Sequence, residues 1–409
     1  MKSMIWCVPL IAALLAACGK TPKAAEGVLF KDDVAFLKSH TKPIVLSGQD
    51  GLAQVAVNPD LQGRVMTSTA GGPEGFSFGW INRELIASGQ DNLHMNAFGG
   101  EDRFWLGPEG GQFSIFFKKG EPFDLEHWFT PPLINEGAYE VLDQQEDRIH
   151  FRKAMHLVNY SGTEFDLELN RVVHILSADE VWTLGIPSPK DLMTVAFASE
   201  NSIRNAGTEP WTKETGLLSV WILGMFNPSP ETTIVIPFKP GPEEELGPAV
   251  NDAYFGKVSA DRLIIKDGVL FFRGDGKSRS KIGISPRRVK PFAGSYDAAK
   301  KVLTVVHVTV PAGATDYVNS MWEIQENPFG GDVVNSYNDG PASPGAKPLG
   351  PFYELESSSP AAALSPGETL THVHTTIHMQ GKDAAALDEI ARTIFGVGIA
   401  EIENAFKKD

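Results

Sequence analysis

From about Pro43 onwards the chain is a succession of short apolar runs punctuated by glycine, proline, asparagine and aspartate. Runs at 52–57, 112–117, 165–175, 195–199, 217–223, 233–238, 269–273, 281–284, 302–308 and 371–379 are rich in β-branched and aromatic residues. Such runs bounded by turn residues read as strands. Strands that recur without intervening long helical patterns exclude a doubly wound α/β fold and predict packed antiparallel sheets. Two helical exceptions flank them. Residues 32–40 read as one short helix with Asp32 at its N-cap. Residues 383–395 and 399–406 read as helices broken around Gly396 and Gly398, with Leu387, Ile390, Ala391 and Ile394 on one face. The expectation is an all-β domain over 28–381 and a helical tail over 382–409 packed on the outside of a sheet.

The amino end follows another pattern. Lys2 precedes an apolar stretch too short to span a bilayer as a helix, which is the form of a secretory signal. Leu15-Ala16-Ala17-Cys18 resembles the bacterial lipobox, which implies a signal peptide over 1–17, lipidation of Cys18 and a tether over 18–27. Gly19 stands where an aspartate usually retains such proteins in the inner membrane, so the resemblance implies a bacterial outer-membrane location. Several acyl chains give durable anchoring where one binds only marginally.

Cys7 and Cys18 are the two cysteines, so the remaining chain has no thiol for a disulfide, a nucleophile or a metal site. A length of 409 residues with 42% hydrophobic content supports a large core instead. The net charge of −15 argues against nucleic acid as a partner, since such binders present a basic patch.

Two segments carry a resemblance. Gly99-Gly100-Glu101-Asp102-Arg103-Phe104-Trp105-Leu106-Gly107-Pro108-Glu109-Gly110-Gly111, and Gly350-Pro351-Phe352-Tyr353-Glu354-Leu355-Glu356-Ser357-Ser358-Ser359-Pro360 with Leu364-Ser365-Pro366-Gly367-Glu368, resemble the galactose mutarotase-like superfamily, in particular its exported bacterial branch. The resemblance implies a β-supersandwich of two large antiparallel sheets with a sugar-binding face. In that family a histidine acts as general acid and a late glutamate as general base. Glu356 matches the glutamate, and Glu354, two residues away, shares its face. The segment corresponding to the family's histidine, 213–226, contains none, but it offers Trp221 as a sugar platform or a core residue.

Other residues extend the candidate site. Arg103, Trp105 and Glu109 lie in a glycine-crowded segment, where arginine and carboxylate can hold hydroxyls. His127 and Trp128 fit a loop over a cleft. Asn338 and Asp339 suit either a tight turn or a ligand, and 339–351 reads as a long loop beside the site. His372, His374 and His378 share strand parity, and His372 or His374 is the candidate acid beside Glu356. No cofactor is expected, although alternating histidines with Glu354 or Glu356 could also hold a divalent ion. Three functions are compatible with these residues: a carbohydrate-binding or carbohydrate-processing cleft, a non-catalytic ligand-binding or structural lipoprotein, and a metal-dependent sugar isomerase or lyase.

Overall fold

The computed structural model describes residues 27–187, 192–343, 345–381 and 384–407. The signal segment, Cys18 and most of the tether therefore lie outside the described residues. No described helix is long and apolar enough to cross a membrane.

Alternating side chains build the architecture. A ten-stranded antiparallel sheet runs, in spatial order, through Leu263–Lys266, Val269–Arg273, Thr232–Pro237, Phe292–Asp297, Val302–Val308, Thr369–Gln380, Met193–Asn205, Glu164–Ile175, Arg148–Val158 and Glu140–Gln144. A five-stranded antiparallel sheet runs through Ser280–Ile284, Val334–Asn338, Tyr353–Ser358, Ser219–Phe226 and Arg103–Gly107. Ile44–Ser47, Gln54–Asn58 and Arg64–Thr69 form a third, small sheet. The expected all-β class with large antiparallel sheets is the class observed.

Strand parity assigns each residue to a layer. Ile234, Ile236, Leu270, Phe272 and Val306 of the ten-stranded sheet pack with Ile282, Ile284, Val334 and Leu355 of the five-stranded sheet. Their neighbours Val235, Phe271, Leu303 and Val305 point the opposite way, onto Leu387, Ile390, Ala391 and Ile394 of the tail. The tail therefore covers the outer face of the large sheet, in helices Ala385–Phe395 and Ile399–Asn404. Gly396, at φ 80°, ends the first of them in the left-handed conformation that glycine adopts without strain.

Two local expectations need correction. The first helix spans Phe30–His40 with Leu29 at its N-cap; Asp32 lies inside the first turn, where its charge favours the amide end of the helix. The run 112–117 forms turns instead of a strand. The Ser114 hydroxyl donates to the Glu109 carbonyl and accepts from the Phe116 amide, taking backbone groups that a ladder would need. Ile115, Phe116 and Phe117 are buried in the core all the same.

Candidate functional site

One face of the five-stranded sheet packs inward. The other carries, across adjacent strands, Arg103 and Trp105, then Trp221, Leu223 and Met225, then Glu354 and Glu356, then Tyr337, then Lys281. The register fixes these neighbours: Trp105 lies opposite Trp221, Met225 opposite Glu354, Glu354 opposite Tyr337 and Tyr337 opposite Lys281. Loops bearing His94, Trp128, Phe255, Trp322, Ala342 and Leu349 close over this face. They enclose a cavity of about 380 Å³.

Its walls are aromatic. Trp105 meets Trp221 edge-on at 5.6 Å between ring centroids, and Trp128 stacks on Phe116 at 5.7 Å and on Trp322 at 6.0 Å. The Arg103 guanidinium lies 4.2 Å from the centre of the Trp105 ring. The indole N–H of Trp221 donates to Glu356 Oε2 at 2.9 Å, so Trp221 both borders the cavity and holds a charged residue.

The floor is charged. Lys281 Nζ donates to the same Glu356 Oε2 at 2.9 Å, and Arg103 Nη2 donates to Glu354 Oε1 at 3.2 Å. Burial works to lower the Lys281 pKa, but the carboxylates of Glu356, Glu109 and Glu354 outweigh it, and the ammonium is held above its usual range. Arg103 shows the opposite balance: burial outweighs the same three carboxylates and lowers it. Glu354 is pushed up to about 8 by burial and by the charge of Glu356, against the opposing pull of Arg103 and Lys281. Burial and the neighbouring charge therefore favour the protonated form of Glu354. Glu356 Oε1 meets no donor while both carboxyls are ionised, and a proton on Glu354 supplies one. Glu109 is also raised, chiefly by burial, although Lys281, Arg279 and a hydrogen bond from Trp322 pull it down.

His94 borders the same cavity. Its Nδ1 lies 2.6 Å from the Trp128 carbonyl oxygen, and its ring stacks on Phe129 at 4.5 Å. A carbonyl can only accept, so Nδ1 carries a proton, and in the neutral tautomer that this contact selects the lone pair is on Nε2.

The structure thus gathers Arg103, Trp105, Glu109, Trp128, Trp221, Asp339 and Glu354 around one cavity, and it places other candidates elsewhere. Glu356 is fully buried behind Glu354 and does not border the cavity. His372 and His374 are on the other side of the sheet. Both bond at 2.8 Å to the hydroxyl of Ser357, whose side chain points away from the face of Glu356 because adjacent strand residues alternate. They are therefore not placed as the acid partner of Glu356. His378 also faces inward, bonded to Glu101 at 2.9 Å. His127 turns outward to Asp124 and Glu121. Asn338 clips its strand end to a turn, accepting from the Gly276 amide and donating to the Ser278 carbonyl.

For a divalent ion, the late histidines and the glutamates would have to converge, and the sheet separates them. Among the described residues no group of three or more histidine, cysteine, aspartate or glutamate side chains is placed to hold a metal.

Sequence reading missed His94, Arg279, Lys281, Phe255 and Trp322. Lys281 had a signal: it shares parity with Gly283 and alternates with Ile282 and Ile284, which marks a cation on the face opposite the core.

The fold defined by these sheets is that of a class of two-sheet antiparallel proteins with known structures. The chain is similar to the Slr1438 protein of Synechocystis sp. PCC 6803, with a TM-score of 0.50 and 14% identity over 83% of this chain and 96% of that one. More distant similarities are to a galactose mutarotase-like protein from Lactobacillus casei ATCC 334, with TM-score 0.46, 10% identity and coverage of 83% and 100%. Another is to a galactose mutarotase related enzyme from Lactobacillus acidophilus, with TM-score 0.44, 10% identity and coverage of 84% and 99%. At these identities the likeness is one of fold. The chain itself belongs to DUF6786, a family of unknown function whose model matches residues 28–406. No curated protein matches it in sequence.

Proposed function

We propose that the cavity binds a sugar and interconverts its anomers, in a lipoprotein anchored to the bacterial outer membrane through Cys18. The observation that carries this reading is one tryptophan-walled cavity bordered both by Glu354, a buried acid pushed up to about 8, and by His94, whose Nδ1 is engaged by the Trp128 carbonyl. Aromatic faces suit the apolar faces of pyranose rings, while carboxyl, guanidinium and indole groups suit hydroxyls. The resemblance of the segments around Arg103 and Glu356 to the mutarotase-like superfamily supports the same reading.

In the proposed reaction His94 Nε2 takes the proton of the anomeric hydroxyl as Glu354 gives its proton to the ring oxygen. The bond between the anomeric carbon and the ring oxygen breaks, and an open-chain aldehyde forms. Rotation about the adjacent carbon–carbon bond and reversal of the two transfers close the ring on the other face. The acid role falls to Glu354 because its pKa is raised toward the working pH, where an efficient general acid has it. Glu356 acts from behind: its negative charge helps to keep the proton on Glu354, and Lys281 and Trp221 hold it in place.

The test is calorimetry with a panel of mono- and oligosaccharides, read alongside polarimetry of freshly dissolved sugar. Saturable binding with faster mutarotation is expected, and Glu354→Gln and His94→Ala should each reduce the rate by roughly 10²-fold or more. Binding with no acceleration would leave a carbohydrate receptor, and no binding would remove the sugar reading. Cys18→Ala should move the protein from the membrane fraction to the soluble one; its retention there would remove the anchor.

A further inference from the structure

The cavity has one cation that no acidic side chain bonds among the described residues. The Arg279 guanidinium borders it, 3.8 Å from the centre of the Phe255 ring. Each of the other cations along the wall lies against an acidic side chain: Arg103 against Glu354 at 3.2 Å, Lys281 against Glu356 at 2.9 Å and Lys347 against Glu84 at 3.5 Å. Arg279 makes no ion pair and no side-chain hydrogen bond among the described residues.

The acids whose charge reaches Arg279 are otherwise engaged. Asp339 accepts from the Tyr337 hydroxyl on Oδ1 and from the Gly350 amide on Oδ2, both at 2.9 Å. Glu109 accepts from Trp322. The indole N–H groups of Trp105 and Trp128 and Nε of Arg103 have no acceptor either, but they are sealed behind the wall, which leaves the Arg279 guanidinium as the group a ligand can reach.

We infer that the sugar taken by this cleft is acidic, a uronic acid or a chain of them, with its carboxylate on the guanidinium of Arg279 beside the Phe255 ring. This rests on the sugar-binding reading and narrows it to a substrate class. The planar guanidinium fork matches a carboxylate with two parallel hydrogen bonds, and the aromatic ring under it holds the fork in plane. One unmatched cation, with Asp339 and Glu109 nearby, suits a single negative charge. A phosphate dianion would set its second charge against those two acids.

The experiment is calorimetric titration of the full chain in detergent with three ligands of one ring configuration: D-galacturonate, D-galactose and D-galactose 6-phosphate, followed by D-glucuronate and D-glucose. A uronate is expected to bind about tenfold or more tighter than its neutral parent. Arg279→Met should collapse that ratio to about one, while Arg279→Lys, which keeps the charge and loses the fork, should retain part of it. Equal affinity for acid and parent in the native chain, or equal weakening of both by Arg279→Met, would overturn the acidic-sugar inference and leave the sugar reading standing. A preference for the phosphate would overturn the carboxylate assignment. Failure of all five sugars to bind would overturn this inference, and the wider panel would then decide whether the sugar reading falls with it.

Discussion

Glu354 and Glu356 are two residues apart on one strand, and their surroundings give them different work. Glu356 takes two hydrogen bonds on one oxygen, from Trp221 and Lys281, and is sealed from the cavity. Glu354 has one long contact from Arg103 and stands at the cavity wall, where burial and the charge of Glu356 push its pKa up. The consequence for stability has a definite sign. A carboxyl whose pKa rises on folding binds its proton more tightly in the folded state, so its contribution is fully present below its unfolded value near 4.5 and is lost as pH climbs through about 8. Relative to Glu354→Gln, which stays neutral throughout, the native chain should lose on the order of 4 kcal/mol between pH 5 and pH 9. Denaturant unfolding across that range measures the difference, and a difference that stays flat would mean that Glu354 is ionised in the folded protein. The sequence resemblance pointed to Glu356. It could not say which of two same-face carboxyls would border the cavity, because that depends on Lys281 and Trp221 arriving from other strands.

At the scale of the element, the strand Thr369–Gln380 shows what local pattern can and cannot deliver. Its extent and the common face of His372, His374 and His378 were legible, since side chains alternate with period two. The face they would take was not: polarity suggested a ligand-facing row, whereas the strand sits inside the ten-stranded sheet with its histidines turned to the other sheet. Direction of this kind is set by register with neighbouring strands, which a single strand's sequence does not contain. Run 112–117 failed for a related reason, its apolar residues being buried from turns. Burial of the histidines has its own consequence. It lowers His372 to about 3, with His374 adding to the effect, and lowers His374 to about 4 against the attraction of Asp102. A histidine depressed on folding contributes stability that is present above its unfolded value near 6.5 and is lost as pH falls through the folded one. The native chain should therefore weaken steeply from pH 6.5 towards pH 4, taking up protons as it unfolds. His372→Asn and His374→Asn should each make that slope shallower whatever they do to stability at pH 8. An unchanged slope in both variants would show that these rings are already protonated in the fold.

Across the whole molecule, the chain does not build one sheet and then the other. The strands that bear the cleft come from 103–107, 219–226, 280–284, 334–338 and 353–358, and strands of the ten-stranded sheet fill the first three of the intervals between them. No segment of continuous chain holds the cleft by itself, so its order depends on every layer, including the tail on the far side of the large sheet. Ile390 lies there, fully buried against that sheet, with the ten strands between it and Trp105, Trp128, Trp221 and Trp322. Ile390→Ala removes buried methylene and methyl groups and should cost about 2–5 kcal/mol. If the layers form one cooperative unit, the loss reaches the cleft undiminished: the midpoints read by tryptophan fluorescence and by far-ultraviolet circular dichroism should coincide in the native chain and fall together in the variant. Were the fluorescence transition to hold its place while the dichroism transition moved down, the cleft would be stable without the tail, and the dependence argued from the interleaved strands would be wrong.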